Sequence, residues 1–257
     1  MKISIITTSF NSGATIKNTI ESVLLQTHTD FEHIIIDGGS TDNTIQIVRQ
    51  AENRYLGRLK YISERDNGIY DAMNKGLRMA TGDIIGILNS DDFFCDSDVL
   101  KTIADNIRDV DAVYGDLVFV NYADSSKIVR IWRGSQFKRG GFFRGWHPAH
   151  PTFYVKKECY DKFGKFDTTY DVSADFELML RFLEKEGISN RYIPKTFVKM
   201  RMGGESTRSI HNIIKGNQNI LRAFNNNGFK VSRFYIVRRL FPKAVNMLKY
   251  KLRHKSI

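Results

Sequence analysis

"GDIIGILNSDDFF", residues 82–94, runs an apolar segment straight into an amide, a hydroxyl and two adjacent carboxylates. Ile84, Ile85, Ile87 and Leu88 form a nearly continuous apolar run, the pattern of a strand covered on both faces by helices. Adjacent acids repel, so Asn89-Ser90-Asp91-Asp92 at the carboxyl end of this strand needs a reason. Two fit. Asp91 or Asp92 caps a helix containing Val99, Leu100 and Ile103, or the carboxylates hold a hard cation. This stretch leaves both open.

Upstream, strand and helix signals alternate. "KISIITTSF" (2–10), "FEHIIIDGG" (31–39) and "RLKYISE" (58–64) read as strands. "GATIKNTIESVLLQ" (13–26), with Ile16, Ile20, Val23 and Leu24 on one stripe, reads as a helix. So do "STDNTIQIVRQA" (40–51), capped by Ser40 or Thr41, and "GIYDAMNKGLRMA" (68–80). The alternation implies right-handed crossovers and an α/β, mainly parallel sheet with helices on both faces. Such sheets bind ligands outside the carboxyl ends of their strands. Polar punctuation stands at four of those ends: Thr7-Thr8-Ser9, Asp37-Gly38-Gly39, Glu64-Arg65-Asp66 and Asn89-Ser90-Asp91-Asp92. One would be a turn; four converging ends describe a site.

Past residue 110 the rhythm changes. "DAVYGDLVFVNY" (111–122) and "KIVRIWRGS" (127–135) alternate like paired strands, and residues 137–155 form a Gly- and aromatic-rich loop leading into a short strand. Residues 171–186 read as a helix with Phe176, Leu178, Met179, Phe182 and Leu183 apolar. After Glu205 two amphipathic helical faces follow, Ile210 to Phe224 and Phe234 to Leu252, with Pro242 starting a new helix.

The 257 residues have an ordinary globular composition, 42% hydrophobic, and lack the roughly 18 uninterrupted apolar residues of a membrane span. "MKISIITTSF" enters a strand at once, leaving no room for the apolar core of a signal peptide. Cys95 and Cys159 are too few for a disulfide framework, which points to a reducing cytoplasm. The net charge of +11 is concentrated: residues 206–257 hold twelve Lys and Arg and no acid, against 27 basic and 28 acidic residues before them. Such a tail suits an anionic membrane surface, or its helices pack on the domain or on a partner chain. No recognition motif points to nucleic acid.

Neither Gly-x-Gly-x-x-Gly nor Gly-x-x-x-x-Gly-Lys-Ser/Thr is present. Asp37 fits a ribose or base contact, and Asp-Gly-Gly-Ser fits a turn equally well. An Asp-Asp pair ending a buried strand suits Mg²⁺ or Mn²⁺ with substrate phosphates. Trp146 and Phe142-Phe143 would stack on a sugar or pin their loop to the core. Lys75, Arg139 and Arg144 are candidates for diphosphate oxygens.

In order along the chain, "ISIITTSFN", "ATIKNTIESVLLQT", "FEHIIIDGGSTDNT" and "SERDNGIYDAMNKGLRMATGDIIGILNSDD" resemble family 2 glycosyltransferases of the GT-A fold. The likeness is greatest to the bacterial branch that builds O-antigen and exopolysaccharide. It continues more loosely through "HPTFYVKKECYDKFGKFDTTYDVSADFELMLRF" and "MRMGGES". The resemblance implies an inverting transfer from a UDP- or, less expectedly, a GDP-sugar to a saccharide hydroxyl, the acceptor being lipid-linked. The chain then divides into a nucleotide-sugar half (1–115), an acceptor half (116–205) and a basic helical tail (206–257), whose charge suits the inner face of a membrane. Thr8 and Phe10 would flank the base, Asp37 and Asp66 complete the nucleoside pocket, and Asn11, Asn74, Lys75, Asn89 and Ser90 join the nucleotide site. The family's Asp-x-Asp falls on Asn89-Ser90-Asp91, so the first acid is an amide and Asp91 is left to hold Mn²⁺ or Mg²⁺, with His150 from the second half. Asp175 in "SADFELMLRF" takes the place of the catalytic base, with Asp171 and Glu177 as alternatives; Trp146 and His147 would face the acceptor. Two rivals remain: a nucleotidyltransferase, which would want a Gly-rich phosphate loop after the first strand, and a non-catalytic member of the fold, which the Asn89 departure keeps open.

Overall fold

The apolar run at 84–87 is one strand of a nine-stranded sheet in the computed structural model, which describes residues 1–203, 210–232, 234–236 and 239. The first half runs β1 (Ile3–Ser9), α1 (Ile16–Leu24), β2 (Phe31–Asp37), α2 (Thr44–Ala51), β3 (Leu59–Ser63), α3 (Ile69–Met79), β4 (Ile84–Ile87), β5 (Phe93–Phe94) and α4 (Val99–Asn106). The second half runs β6 (Ala112–Val120), β7 (Ile128–Trp132), β8 (Tyr154–Lys156), α5 (Lys157–Phe163), α6 (Ala174–Leu180), β9 (Asn190–Arg201) and α7 (Ile210–Asn226). The sheet order is β3-β2-β1-β4-β8-β6-β9-β5, with β7 hairpinned onto β6. β3, β2, β1 and β4 are parallel, β8 runs against both β4 and β6, and β9 lies parallel to β6. This is the expected α/β plan of the GT-A type, with the sheet curling where the direction reverses.

Successive residues of a strand face opposite sides, and here both sides are covered. Ile3, Ile5 and Ile35 pack with α1, α2 and α4, whereas Ile6, Ile34 and Ile36 pack with α3, α6 and α7. Every residue of β1 and β2 is therefore buried. At roughly 1.5–3 kcal/mol per buried Ile side chain, this double burial dominates the local energetics. Gly76 of α3 lies so close to the sheet that a Cβ there would stand 2.4 Å from Ile6 Cγ2.

Three local expectations change. Neither Asp91 nor Asp92 caps a helix: β5 follows them, and α4 starts only at Val99 with Asp98 at its cap position. β5 exists because Phe93 and Phe94 pair with Lys199 and Val198 of β9, a partner invisible locally. α2 starts at Thr44 behind Asn43, not at Ser40 or Thr41, whose side chains are used elsewhere. The first tail helix, α7, packs on α6 and buries Ile220, Ala223 and Phe224, leaving Ile213 and Ile214 exposed. Phe241, Pro242, Val245, Leu248 and Leu252 lie outside the described residues, among which no helix is long and apolar enough to cross a membrane.

Candidate functional site

Parallel register brings the strand ends to one edge. Ser9 of β1 stands opposite Asp37 of β2, and Ile6 opposite Ile87 of β4. Asp37 is fully buried and accepts five hydrogen bonds: Ser9 Oγ (3.0 Å), Ser40 Oγ (2.5 Å), Ser63 Oγ (2.7 Å) and the Gly39 and Ser40 N–H groups (3.2 and 2.8 Å). A carboxylate offers about four lone-pair sites. Asp37 is thus spent on holding three strand ends, and the turn reading displaces the expected base or ribose contact. Asn11, at φ 47°, is a staple of the same kind: its N–H meets Ser40 Oγ (2.7 Å) and its Oδ1 accepts the Thr41 N–H (2.9 Å).

The space beside this anchor is an open slot. Phe10 is 63% exposed, and its ring edge lies next to Gly38. A Cβ on Gly38 would sit 2.7 Å from Asp66 Oδ2 and 3.5 Å from Phe10 Cδ2, so only glycine keeps the slot open. Asp66 Oδ1 accepts the Gly68 N–H (2.9 Å). An aromatic face and a carboxylate across a bare backbone suit a planar, hydrogen-bonding ring.

At the end of β4, Thr8 Oγ1 donates to Asn89 Oδ1 (3.4 Å), and the Ser90 and Ser12 hydroxyls meet at 2.8 Å. Asp92 is 0% exposed, and neither of its carboxylate oxygens makes a hydrogen bond. The Arg201 backbone and the Asn89 amide favour its charge without closing one. Burial pushes its carboxyl well above the usual range, and the neighbouring Asp91 charge pushes it further. Burial raises Asp91 too, against the pull of Arg201. Arg201 ends β9, donates Nη1 to Asp91 O (2.7 Å) and lies over the Phe93 ring at 5.0 Å. A buried carboxylate without a partner is costly unless a proton or cation completes it. The orphaned oxygens of Asp92 beside Asp91 therefore fit a hard divalent ion that takes one or two carboxylates and fills its shell with phosphate and water. Among the described residues no cluster of three His, Cys, Asp or Glu side chains could hold a metal.

His150 is brought to Asp175 rather than to a metal cluster. It lies edge-on to Phe166 (5.8 Å); burial pushes its imidazole below the ordinary value, and the Asp175 charge pulls the other way. Asp175 is the second residue of α6, at the helix end that favours an anion. Ser173, at φ 70°, makes the turn into the helix. Tyr70 of α3 donates its Oη to Asp175 Oδ1 (3.2 Å). Of the alternatives, Asp171 pairs with Lys215 and the buried Glu177 with Arg181.

Four expected site residues have other work. Asn74 is buried and clamps the backbone of Phe166, donating to its O (2.8 Å) and accepting from its N–H (3.1 Å). Lys75 is tied to Glu64 (2.8 Å) and to Arg65 O (3.1 Å). Trp146 packs against Phe137 (5.9 Å) and Tyr114 (6.1 Å), pinning its loop. His147 bonds Pro148 O through Nδ1 (2.9 Å) and packs edge-on to Trp132 (5.2 Å) and Phe176 (5.4 Å). Sequence reading missed Tyr70, Arg201 and Glu184. Tyr70 sits in a helical stripe like any core aromatic. The buried Glu184 receives the Gly140 and Phe142 N–H groups (2.9 and 3.1 Å) and so holds the aromatic loop.

The profile of the family described as "Glycosyl transferase family 2" matches residues 4–188. A "PGL/p-HBAD biosynthesis glycosyltransferase" of Mycobacterium bovis is 30% identical over 199 residues, 74% of this chain and 73% of its own. Staphylococcus aureus TarS in complex with UDP-GlcNAc superposes with a TM-score of 0.67 at 18% identity, over 93% of this chain and 73% of that one; in another TarS structure the chain spans 44% of the length. A mannosyltransferase from Pyrobaculum calidifontis in complex with GDP-Man and Mn²⁺ gives 0.65 at 20% identity, over 94% and 68%. At these identities the two structures establish likeness of fold.

Proposed function

The chain belongs to glycosyl transferase family 2 and is a glycosyltransferase, and from that premise we propose that it moves a sugar, with inversion, from a nucleotide-diphosphate sugar to a saccharide hydroxyl. The buried Asp92, whose carboxylate oxygens make no hydrogen bond, beside the half-buried Asp91 carries this reading. A buried, unpartnered carboxylate next to a second acid has no evident structural use, whereas a metal-bound diphosphate gives the pair one. The slot formed by Phe10, Gly38 and Asp66 takes the base, with Thr8 and Asn89 beside it. UDP is the favoured nucleotide and GDP the second, as in the TarS and mannosyltransferase complexes.

Asp91 would hold Mn²⁺ or Mg²⁺ with Asp92 beside it, and the ion's contribution is to neutralise charge on the departing diphosphate. The remaining steps belong to the chain. Tyr70 engages Asp175 Oδ1, leaving Oδ2 to accept a proton. The acceptor oxygen attacks the anomeric carbon as its proton passes to Asp175, and the bond from that carbon to the diphosphate oxygen breaks with its electron pair. The acceptor is a lipid-linked saccharide of surface polysaccharide assembly, and the basic residues after 205 hold the enzyme on the cytoplasmic face of an anionic membrane.

A thermal-shift series with UDP, GDP, CDP and TDP, each with Mn²⁺ and with EDTA, tests the reading. A ligand at 100 times its Kd stabilises the fold by about 2.7 kcal/mol. Stabilisation by one nucleotide only with Mn²⁺ supports the site and names the donor class. No shift in any condition would remove the nucleotide and metal assignments.

A further inference from the structure

The segment that leads into Asp175 is held residue by residue by α7, a helix lying wholly beyond residue 188, where the family match ends. Arg222 Nη1 and Nη2 donate to Thr169 O (3.1 Å) and Oγ1 (2.6 Å), and the guanidinium lies 4.4 Å over the centre of the Tyr170 ring. Asn226 Nδ2 donates to Tyr170 Oη (2.9 Å), and Lys215 pairs with Asp171. The buried Asn219 donates Nδ2 to Val172 O (2.9 Å), and Ser173 Oγ donates to Gly216 O (3.4 Å). Lys215, Asn219, Arg222 and Asn226 recur at three- and four-residue spacing, so one face of α7 meets all five residues from 169 to 173. The approach is close: a Cβ on Gly216 would stand 3.3 Å from Ser173 Oγ.

This clamp fixes the entry to α6. Ser173 stands at φ 70°, in the left-handed region that a non-glycine residue keeps only where its surroundings over-determine it. Here the carbonyl before it is held by Asn219 and its own hydroxyl lies on α7. Asp175 follows two residues later. Beyond it, Phe176 packs edge-on to Phe224 of α7 (5.8 Å), and Asn227, just past α7, donates to Glu177 (3.0 Å). We propose that α7 is the template that aims the base, and that Asn219 is a positioning residue for the transfer, acting on Asp175 through Val172 and Ser173. Tyr70 holds one carboxylate oxygen from the side of α3, while α7 holds the backbone that carries the carboxylate. A base fixed in this way needs no reorientation as the acceptor proton moves, which is worth rate rather than donor binding. The inference rests on Asp175 being the base. It does not follow from the family, whose matched region stops before α7 begins.

The test uses the full chain, with N219A, R222M and D175N assayed for nucleoside diphosphate release from UDP-glucose, UDP-GlcNAc and GDP-mannose, well below each melting temperature. Amide hydrogen exchange is followed on the same proteins by mass spectrometry. N219A is expected to lose kcat on the order of tenfold with donor KM within about twofold of wild type. Its exchange should quicken across residues 169–180 while β1 and β2 stay as protected as in wild type. Wild-type exchange across 169–180, or wild-type kcat in N219A while D175N is inactive, overturns the proposal and leaves Asp175 in its role. Exchange quickened alike in every element overturns it too, since that is a general loss of stability. Wild-type turnover by D175N sinks the reading of the base, and no turnover by wild type with any of the three donors sinks the donor reading; the proposal falls with either. Should N219A fold poorly, R222M decides by the same two readouts, because Arg222 is exposed and its loss opens no buried cavity. Local quickening with a lowered kcat in R222M supports the proposal; a folded R222M that matches wild type in both overturns it.

Discussion

The Tyr70 hydroxyl and the Asp175 carboxylate, 105 residues apart in sequence, are joined by a 3.2 Å hydrogen bond that links α3 to α6. Burial, with the Asp175 charge adding to it, pushes the Tyr70 phenol well above its ordinary value, so it is a donor at every working pH. Y70F removes this donor, together with an acceptor for the backbone at Ala174 and Asp175. A hydrogen bond to a charged group is worth about 1.5–3 kcal/mol, so kcat should fall about tenfold or more with donor KM unchanged. Steady-state kinetics on Y70F check this; a rise in KM at constant kcat would put Tyr70 in binding instead.

Asn89 allows the metal assignment to be tested without catalysis. N89D restores the acid that the family motif carries and places a third carboxylate beside Asp91 and the uncompensated Asp92. Like charges in a buried cluster repel. In EDTA, N89D should therefore melt below wild type, and saturating Mn²⁺ should close or reverse the difference. D91N should do the opposite, relieving repulsion in EDTA and losing the Mn²⁺ response. Identical Mn²⁺ responses in wild type, N89D and D91N would show that these strand-end acids do not bind the ion.

What could be read from the sequence divides along contact range. β1, β2 and β4 were legible because both faces are buried, so their side chains are apolar whatever their partners. The mistakes came where a distant partner decides. Asp91 and Asp92 look like a helix start until β5 pairs with β9 about a hundred residues on. Ser40 looks like a cap, yet its hydroxyl and N–H are taken by Asp37. The strand-end logic pointed to the candidate site; it could not distinguish Asp66, which borders the slot, from Asp37, which holds the strands. Tyr70 carried no signal, since its role depends on where α6 comes to rest.

Asn74 gives a prediction that separates structure from binding. Its side chain satisfies both backbone groups of Phe166, whose ring stacks on Tyr70 at 5.8 Å. N74A would leave a buried N–H and C=O unmet, at about 1–3 kcal/mol for each group left unsatisfied. Urea denaturation should show a drop of about 2–6 kcal/mol for the two groups with the slope unchanged, and nucleotide affinity of the folded fraction should equal wild type. Weakened nucleotide binding at undiminished stability would return Asn74 to the nucleotide site.

Acid stability should show two windows with separate owners. His33 is fully buried, with Nε2 2.8 Å from Thr7 Oγ1 and Nδ1 2.6 Å from Tyr55 Oη. Tyr55 gives its own proton to Ile20 O, so His33 Nδ1 donates to it, and the neutral ring that burial favours accepts at Nε2 from Thr7 Oγ1. Burial pushes its pKa down to about 3. The unfolded chain binds that proton near pH 6.5. Between the two values the unfolded state holds more protons, so stability falls as pH drops, by up to about 1.4 kcal/mol per pH unit. Glu32 follows lower down. Burial opposes its charge, but Lys60, Ser4 and Thr81 outweigh that and hold its carboxyl near about 2, so its contribution is complete above about 4.5 and lost towards 2. Urea midpoints measured across this range should lose the upper slope in H33Q and the lower one in E32Q. An H33Q protein with the wild-type slope between about pH 6 and 5 would mean that another group owns that window.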